Sequence, residues 1–294
     1  MNLQSETTTR TRLLAGLPVT DRNLTLAGLT TAVLEGGSGP PVILLHSAGE
    51  FAALWARVLP DLVTTHRVVV PDLPGHGASP LAGQPRPDQL LEWLAELIEQ
   101  TCTQAPSLVG HGLGGALAAR YATDHSRRID RLVLVDSLGL AAFEPAPSFA
   151  QALTGFLQQP TEETRDGLFA QCFVDVDRLG TDVGDRWRHV AAYALDRART
   201  PDQQAALAAF MMPFGFTPIA PADLAGIGAP TAMIWGRHDL QVPLGVAEEA
   251  GTRYGWPLHV IDAAGDDPAM EQPAAFLAAL RASLATPAAD GAVA

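Results

Sequence analysis

The chain has 294 residues, of which 47% are hydrophobic, and a formal net charge of −13 at pH 7. These values predict one large α/β domain or two small ones and exclude global disorder. The acidic charge argues against nucleic acid and anionic membrane surfaces as partners, because it repels phosphate groups. Two cysteines, Cys102 and Cys172, are too few for a disulfide framework. Since the sequence shows neither a signal-peptide pattern nor an apolar run of membrane-spanning length, we expect a soluble cytoplasmic protein.

The first part of the chain predicts a frayed start followed by strands. Residues 1–11 are polar, and we expect them to be frayed. Alternating polarity and turn residues in 16–35 predict two antiparallel strands. Further along, short continuous apolar runs predict strands buried on both faces. These runs are residues 40–47, 67–73, 107–112, 131–137, 230–236 and 257–263.

Helical patterns lie between the apolar runs. Residues 87–102 begin with Pro and Asp and repeat apolar positions at helical spacing. Further helices are predicted at 113–125, 244–254 and 271–285, and residues 286–294 have the composition of a loose tail. Alternating strands and helices predict an α/β fold with a mainly parallel sheet and helices on both faces.

Residues 140–220 interrupt this alternation. They carry helical patterns and no buried-strand pattern, so we expect them to form a helical lid above the sheet. The chain is therefore predicted to comprise a core, residues 1–139 and 221–294, and a cap, residues 140–220. The helical patterns in the cap are at 148–158, 161–172, 185–198 and 201–210.

Residues 108–115 read LVGHGLGG, which is the sequence form of a strand, a sharp turn and a helix. In one enzyme superfamily this turn reads G-x-S-x-G, and its serine is the nucleophile. Here the middle position is Gly112. Glycine adopts the backbone angles of such a turn without strain, so it suits a chain that no longer needs the hydroxyl.

Five segments follow one another in the order found in that superfamily: HSAG (46–49), DLPGHGAS (72–79), GHGLGG (110–115), WGRHDLQVP (235–243) and GDDPAMEQP (265–273). With them the chain resembles α/β-hydrolase-fold proteins with a helical cap, of the esterase, lactonase and carbon–carbon hydrolase kind, over roughly residues 15–285. The resemblance implies a mostly parallel eight-stranded sheet flanked by helices, with the cap inserted after strand 6.

The resemblance also implies where a catalytic triad would lie. Asp239 matches the acid, Gly112 stands in the nucleophile position, and Asp266 stands where the family has histidine. Since two of the three roles are vacant, conventional serine hydrolysis is not expected. The oxyanion hole would use the backbone amides of Ala48 and Leu113, which need no particular side chain. We expect the missing side chain to enlarge the pocket floor, so that a ligand or water lies directly against these amides.

Several other side chains are candidates for proton transfer or binding. His111, His46 and Asp136 are candidate proton handlers together with Asp266, although each also has a purely structural interpretation at its position. Ser47 stands where a glycine is common in the family and supplies a new hydroxyl near the pocket. From the cap, Trp187 and the run FMMPFGF (210–216), with Met211, Met212 and Phe214, are either pocket lining or cap core.

Three functions remain open from the sequence. The first is a non-hydrolytic enzyme of lyase, isomerase or cyclase type that acts on a small, largely apolar carbonyl compound. The second is a catalytically silent relative that binds a ligand or a partner. The third is an atypical hydrolase, or an ordinary one inactivated by engineering at Gly112 and Asp266. No cofactor and no metal are implied, because neither a phosphate loop nor a metal-ligand cluster occurs. The expected partner is a small molecule, and the oligomeric state stays open.

Overall fold

In the computed structural model, residues 3–81 and 83–285 are described; the tail predicted at 286–294 lies outside them. The described residues form an eight-stranded sheet in the order β1-β2-β4-β3-β5-β6-β7-β8. β1 pairs with β2, and β2 with β4, in antiparallel fashion, whereas the other neighbours are parallel. This confirms the predicted fold class. The strands are β1 (Thr20–Leu26), β2 (Leu29–Gly36), β3 (Pro41–Leu45), β4 (Arg67–Pro71), β5 (Ser107–His111), β6 (Arg131–Val135), β7 (Thr231–Gly236) and β8 (Leu258–Ile261).

Helices cover both faces of the sheet. The helices are α1 (Leu3–Leu14), α2 (Leu59–Leu62), α3 (Pro87–Thr101), α4 (Gly112–His125), α5 (Pro147–Gln158), α6 (Glu162–Cys172), α7 (Val176–Val183), α8 (Asp185–Ala198), α9 (Pro201–Phe210), α10 (Pro221–Ala225), α11 (Leu244–Tyr254), α12 (Pro268–Glu271) and α13 (Pro273–Ala285). The helix predicted at 271–285 begins instead at Pro273, which suits the first turn because it has no N–H to donate. None of the helices between residues 3 and 285 that the structure describes has the length and apolar character needed to cross a membrane.

The central strands explain why the sheet needs helices on both sides. Along β3, Ile43 and Leu45 pack into one hydrophobic cluster, and Val42 and Leu44 pack into another. Successive side chains of a strand point to opposite faces, so a continuous apolar run buries both. The carboxyl ends of β3 and β5 are thereby held side by side, and this edge carries the candidate site.

The start of the chain differs from its prediction. Residues 1–11 were expected to be frayed, but α1 covers residues 3–14. Arg10 forms ion pairs with Asp21 and with the buried Asp72, at 2.7 and 2.6 Å. Leu13 is buried in a cluster with Phe51 of the core and Tyr193 of α8. The prediction failed because α1 is stabilised by contacts with other parts of the chain. These are the ion pair of Arg10 with Asp72 and the packing of Leu13, which the polar composition of residues 1–11 does not reveal.

Helices α5 to α9 lie within residues 140–220, where the sequence predicts the helices of a cap, and α10 follows them before β7. The helical pattern missed at 176–183 forms α7. From α9, the Gln203 side-chain amide donates to the backbone oxygen of Gly49, at 3.2 Å. Helix α9 therefore faces the loop after β3. The division into a core and a cap stays a prediction.

Candidate active site

The turn between β5 and α4 has the geometry of an elbow. β5 ends at His111 and α4 begins directly at Gly112, whose φ is +49°. A non-glycine residue is rare in this left-handed region and is strained there. The chain therefore keeps the backbone of a nucleophile elbow, and glycine relieves its strain.

The side chain of Ser47 fills the space above Gly112. Ser47 follows β3 and is 2% exposed. A Cβ atom on Gly112 would overlap the Ser47 Oγ, so the two side chains cannot coexist in this arrangement. The Leu113 N–H, one of the two predicted oxyanion donors, donates to the Ser47 Oγ at 3.3 Å. The sequence analysis expected the missing side chain at Gly112 to leave space for a ligand against the backbone amides. That expectation is wrong, because the Ser47 hydroxyl fills this space.

His111 lies between two carboxyl-bearing residues. Its Nδ1 is 3.1 Å from the Glu50 Oε2, and its Nε2 is 2.7 Å from the backbone oxygen of Asp266. Burial lowers the pKa of His111, but the attraction of Glu50, the hydrogen bond with Glu50 and the Asp266 carboxylate, 3.6 Å from Nε2, raise it well above its ordinary value. Burial raises the pKa of Glu50, but the charge and hydrogen bond of His111, together with His46 and the Ser47 N–H, lower it. His111 and Glu50 therefore form a partly buried ion pair, at 3.1 Å.

Asp136, Asp239 and Asp266 form the group that we call the carboxylate corner. All three are at most 6% exposed. Within the described parts of the chain, Asp136 Oδ2, Asp239 Oδ2 and Asp266 Oδ1 are buried without a hydrogen-bond partner. Burial, followed by repulsion from Asp239, raises the pKa of Asp136 well above normal. Burial and repulsion from Asp266 do the same to the pKa of Asp239. Buried carboxyl oxygens without partners are costly, which is typical of functional sites.

The other oxygens of the carboxylate corner hold backbone in place. Asp239 Oδ1 accepts from the N–H groups of Gln241 and Val242, at 2.7 and 3.0 Å. Asp136 Oδ1 accepts from the Gly236 N–H at 2.8 Å, and Asp136 itself has a φ of +42°. In Asp136 and Asp239, one oxygen thus orients the side chain, and the other is left for a further partner.

Asp267 is a further candidate, which the sequence analysis did not single out. It is 6% exposed, and its Oδ1 accepts from the Met270 N–H at 2.9 Å, which caps α12. Burial raises the pKa of Asp267 from 3.8 to about 7, against the attraction of His111. A group with this pKa can both accept and donate a proton near neutral pH. The available signal was the Asp-Pro pair at the start of a short helix.

A cavity of about 200 Å³ lies between the loop after β3 and the helices of the segment 140–220. Its polar end includes Ser47, Ala48, Glu50, Asp266 and Asp267. Its wall is largely apolar. Among the residues of that wall are Leu54, Phe149, Leu153, Phe156, Leu168, Phe169, Phe173, Leu207, Met211 and Phe216. The arrangement suits a molecule with one polar end and an apolar body.

A family model described as the alpha/beta hydrolase family matches residues 42–280. The chain belongs to the alpha/beta hydrolase family. It is 31% identical over 222 residues to the pimeloyl-[acyl-carrier protein] methyl ester esterase of Aeromonas hydrophila subsp. hydrophila, a match that covers 73% of this chain and 83% of that one. It is also 31% identical over 129 residues to the 2-hydroxymuconate semialdehyde hydrolase of Pseudomonas sp. (strain CF600), covering 42% of this chain and 46% of the other.

Two solved structures have the same fold. The 2-hydroxy-6-oxo-6-phenylhexa-2,4-dienoate hydrolase of Rhodococcus sp. strain RHA1 superposes with a TM-score of 0.79 at 23% identity, over 92% of this chain and all of that chain. A meta-cleavage product hydrolase of Pseudomonas fluorescens IP01 gives 0.75 at 26% identity, over 89% and 96% of the two chains. These relatives of this alpha/beta hydrolase are thus hydrolases by name.

Of the predicted binding residues, the structure places some at the cavity and some elsewhere. Ser47 and Met211 line it. Trp187 stands behind the wall against Phe169 and Phe173, with ring centroids 5.4 and 5.5 Å apart. Met212 is 64% exposed, and Phe214 is fully buried in the core. Ligand binding by Trp187, Met212 and Phe214 stays a prediction that the cavity geometry does not support.

His46, a predicted proton handler, has both ring nitrogens engaged with backbone. Its Nε2 accepts from the Leu73 N–H at 2.9 Å, so its Nδ1 donates to the Ser47 oxygen at 2.8 Å. Burial lowers the pKa of His46. A neutral imidazole with both nitrogens engaged positions the loop that carries Ser47 and has no nitrogen left for a substrate proton.

Glu50, His111 and Asp266 each bring one atom of a metal-ligating type to within 4.8 Å of the others. Both ring nitrogens of His111, however, already lie within hydrogen-bond distance of Glu50 and of the Asp266 backbone. An imidazole can ligate a metal only through a free lone pair. We therefore assign no metal site to these residues.

Proposed function

We propose that this alpha/beta hydrolase relative catalyses a proton-transfer reaction, of isomerase or lyase type, on a small and largely apolar carbonyl compound. The observation that carries the proposal is the replacement of the elbow side chain by the Ser47 hydroxyl above Gly112. Asp266 in the histidine position supports it further, because a serine without a neutral histidine base is a poor nucleophile. The reaction would proceed without an acyl-enzyme.

In this proposal Ser47 binds the carbonyl oxygen. Its Oγ accepts a hydrogen bond from the Leu113 N–H, which polarises the hydroxyl and strengthens it as a donor. When a proton leaves the carbon next to the carbonyl group, the electron pair moves to the oxygen as an enolate. The Ser47 hydroxyl would then stabilise charge that develops in the transition state.

Asp267 accepts that proton and returns it to another carbon, so an isomerisation balances without a co-reactant. Its position on the cavity and its pKa of about 7 suit this role. Because the base form is the carboxylate, kcat should rise with pH through about 7. The variant Asp267→Asn should lose roughly a hundredfold or more in kcat. A pH profile without an inflection in that region would contradict this assignment.

The experiment compares three proteins in a small-molecule extract of the source cells. Ala194 lines the cavity, so Ala194→Trp should block it. Ala208 is on α9 and does not line the cavity, so Ala208→Trp is the matched control. Mass spectrometry would identify a compound that the wild type and the control consume and the blocked variant does not. A product of equal mass supports an isomerase, and two products whose masses sum to that of the substrate support a lyase.

Two outcomes would overturn the proposal. A gain of one water indicates hydrolysis, and labelling of Ser47 by a fluorophosphonate would indicate a relocated nucleophile. A compound retained unchanged indicates the second candidate function, a catalytically silent binder. That candidate is favoured by the Leu113 amide, whose hydrogen bond to Ser47 occupies a donor that catalysis in this family is expected to use.

A further inference from the structure

Helix α1 packs behind the wall of the cavity, against two separate parts of the chain. Phe51, in the loop after β3, and Val190 of α8 both line the cavity. The same two residues share a buried hydrophobic cluster with Leu13 of α1, which is 1% exposed. Leu13 is not among the described lining residues, so it supports both of them from the outer side of the wall.

Polar contacts tie α1 to the same two sides. Arg10 pairs with Asp72, at 2.6 Å, and with Asp21 of β1, at 2.7 Å. On the other side, the Arg186 side chain of α8 donates to the backbone oxygen of Ala15, at 2.7 Å. Ala15 directly follows α1. Helix α1 therefore connects α8 to the strands and loops of the sheet.

The sequence of α1 provides little stability of its own. Four of its 12 residues are threonine, and β-branched side chains lower helix propensity. An isolated helix of this length is marginal in water. The order of α1 depends on its contacts with other elements, and such segments open at a lower free energy than global unfolding. We expect α1 to detach while the sheet stays folded.

We propose that α1 is a strap that controls access to the cavity: α1 and α8 detach from the loop after β3 together, as one cooperative unit. Detachment would separate Val190 from Phe51 and open the cavity wall. Re-attachment would close the wall and exclude bulk water from the site, as lids do in many enzymes. The inference concerns access to the cavity and does not rest on the proposed function.

The two cysteines of the chain can report on this opening. Cys172 lines the cavity, whereas Cys102, which follows α3, is not among the described lining residues. Burial, followed by repulsion from Asp266, raises the pKa of the Cys172 thiol well above its ordinary value. Because the thiolate is the reactive form, Cys172 should be alkylated slowly in the closed protein. Cys102 serves as a control within the same molecule.

The test is alkylation with iodoacetamide, in which mass spectrometry measures the rate at each cysteine. Leu13→Ala removes the contact of α1 with Phe51 and Val190, so Cys172 should react roughly tenfold or more faster than in the wild type. The rate at Cys102 should stay unchanged.

Leu280→Ala is the matched control. Leu280 of α13 is fully buried, and it packs in a hydrophobic cluster that does not include Leu13. Its truncation should lower the global stability by a similar mechanism. The rate at Cys172 should nevertheless stay at the wild-type value, because the strap is intact.

Hydrogen exchange followed by mass spectrometry tests whether α1 and α8 open together. In Leu13→Ala the amides of α8 should exchange roughly tenfold or more faster, and those of α4 should not change. If Leu13→Ala does not fold, Arg186→Ala makes the same test, because it removes the hydrogen bond between α8 and Ala15. The expected increase in α8 is then smaller, about threefold.

Two outcomes would overturn the inference. Faster exchange in α1 alone, with α8 and Cys172 unchanged, would show that α1 is an appendage that does not hold α8. Equal acceleration in α4, in α8 and at both cysteines would show that the cavity opens only by global unfolding.

Discussion

Two buried carboxylate regions of this protein differ in their partners. Asp72 is fully buried, and it accepts hydrogen bonds from Arg10 at 2.6 Å, from the Ala52 N–H at 2.7 Å and from the Ala78 N–H at 2.9 Å. Burial raises the pKa of Asp72, but the charges of Arg10 and His46 and the backbone hydrogen bonds to its carboxylate together outweigh burial and lower it. The carboxylate corner is buried to a similar degree, and there the pKa values of Asp136 and Asp239 are raised.

Burial alone therefore does not tell a structural carboxyl group from a functional one. Asp72 has its charge balanced and its oxygens satisfied, so it stabilises the fold. The carboxylate corner keeps three oxygens without a hydrogen-bond partner among the described residues. The hydrogen-bond and charge partners of the carboxyl groups distinguish Asp72 from the carboxylate corner. Substitutions that remove or add such partners test this difference.

The largest expected effect comes from supplying the carboxylate corner with the histidine that it lacks. The combination Gly112→Ser with Asp266→His should stay inactive, because any side chain introduced at position 112 overlaps Ser47. Adding Ser47→Gly should remove the overlap and raise esterase activity at least about a thousandfold over the wild type. Hydrolysis of a p-nitrophenyl ester measures it. Equal activity of the double and triple variants would show that Ser47 does not block the elbow.

The second effect concerns Asp72. Asp72→Asn leaves Arg10 buried with Asp21 as its remaining partner, so the free energy of unfolding should fall by about 3 kcal/mol. Since the folded-state pKa of Asp72 is lowered, its stabilisation is present above its ordinary pKa and is lost as pH falls through the lowered value. Urea unfolding measures the change. Asp88→Asn, at the exposed pair with Arg86, is the control and should leave the midpoint unchanged.

The third effect tests the tight fit at the elbow. Gly112→Ala puts a side chain into the left-handed region and against Ser47, so it should cost about 2 kcal/mol of unfolding free energy. Adding Ser47→Gly should recover the part of this loss that is due to the overlap. Urea unfolding of both single variants and the double variant measures the coupling, and strictly additive effects would contradict the contact.

The smallest effect is expected at Asp136. Asn tolerates a φ of +42° and keeps the acceptor for the Gly236 N–H, so Asp136→Asn should fold normally. The folded-state pKa of Asp136 is raised, so wild-type stability is lost as pH rises from its ordinary pKa to the raised value. Asn cannot ionise, and the variant should gain about 1 kcal/mol relative to the wild type on the alkaline side. Thermal unfolding across pH checks this, and a constant difference would argue against ionisation of Asp136.

Much of the fold was predictable from the sequence. The apolar runs predicted six strands, β3 to β8, but β8 is a half-buried strand at the edge of the sheet rather than one buried on both faces. Five ordered segments predicted the family. The assignment of Gly112, Asp239 and Asp266 to triad positions rests on the same order and stays a prediction. The predictions of fold and family succeed because strand burial, helical spacing and glycine at a turn are local properties that each segment carries in its own residues.

Only the tertiary structure decided how the site is filled. Ser47 and Gly112 are far apart in the chain, and the pairing of β3 with β5 brings them together. Glu50, His111 and Asp266 come from three separate segments. No single segment therefore predicts the ion pair of His111 with Glu50, or the Asp266 Oδ1 without a hydrogen-bond partner. α1 is ordered by Asp72 and Tyr193 rather than by its own polar composition. The sequence determined which backbone is built, and long-range packing decided which side chains meet in it.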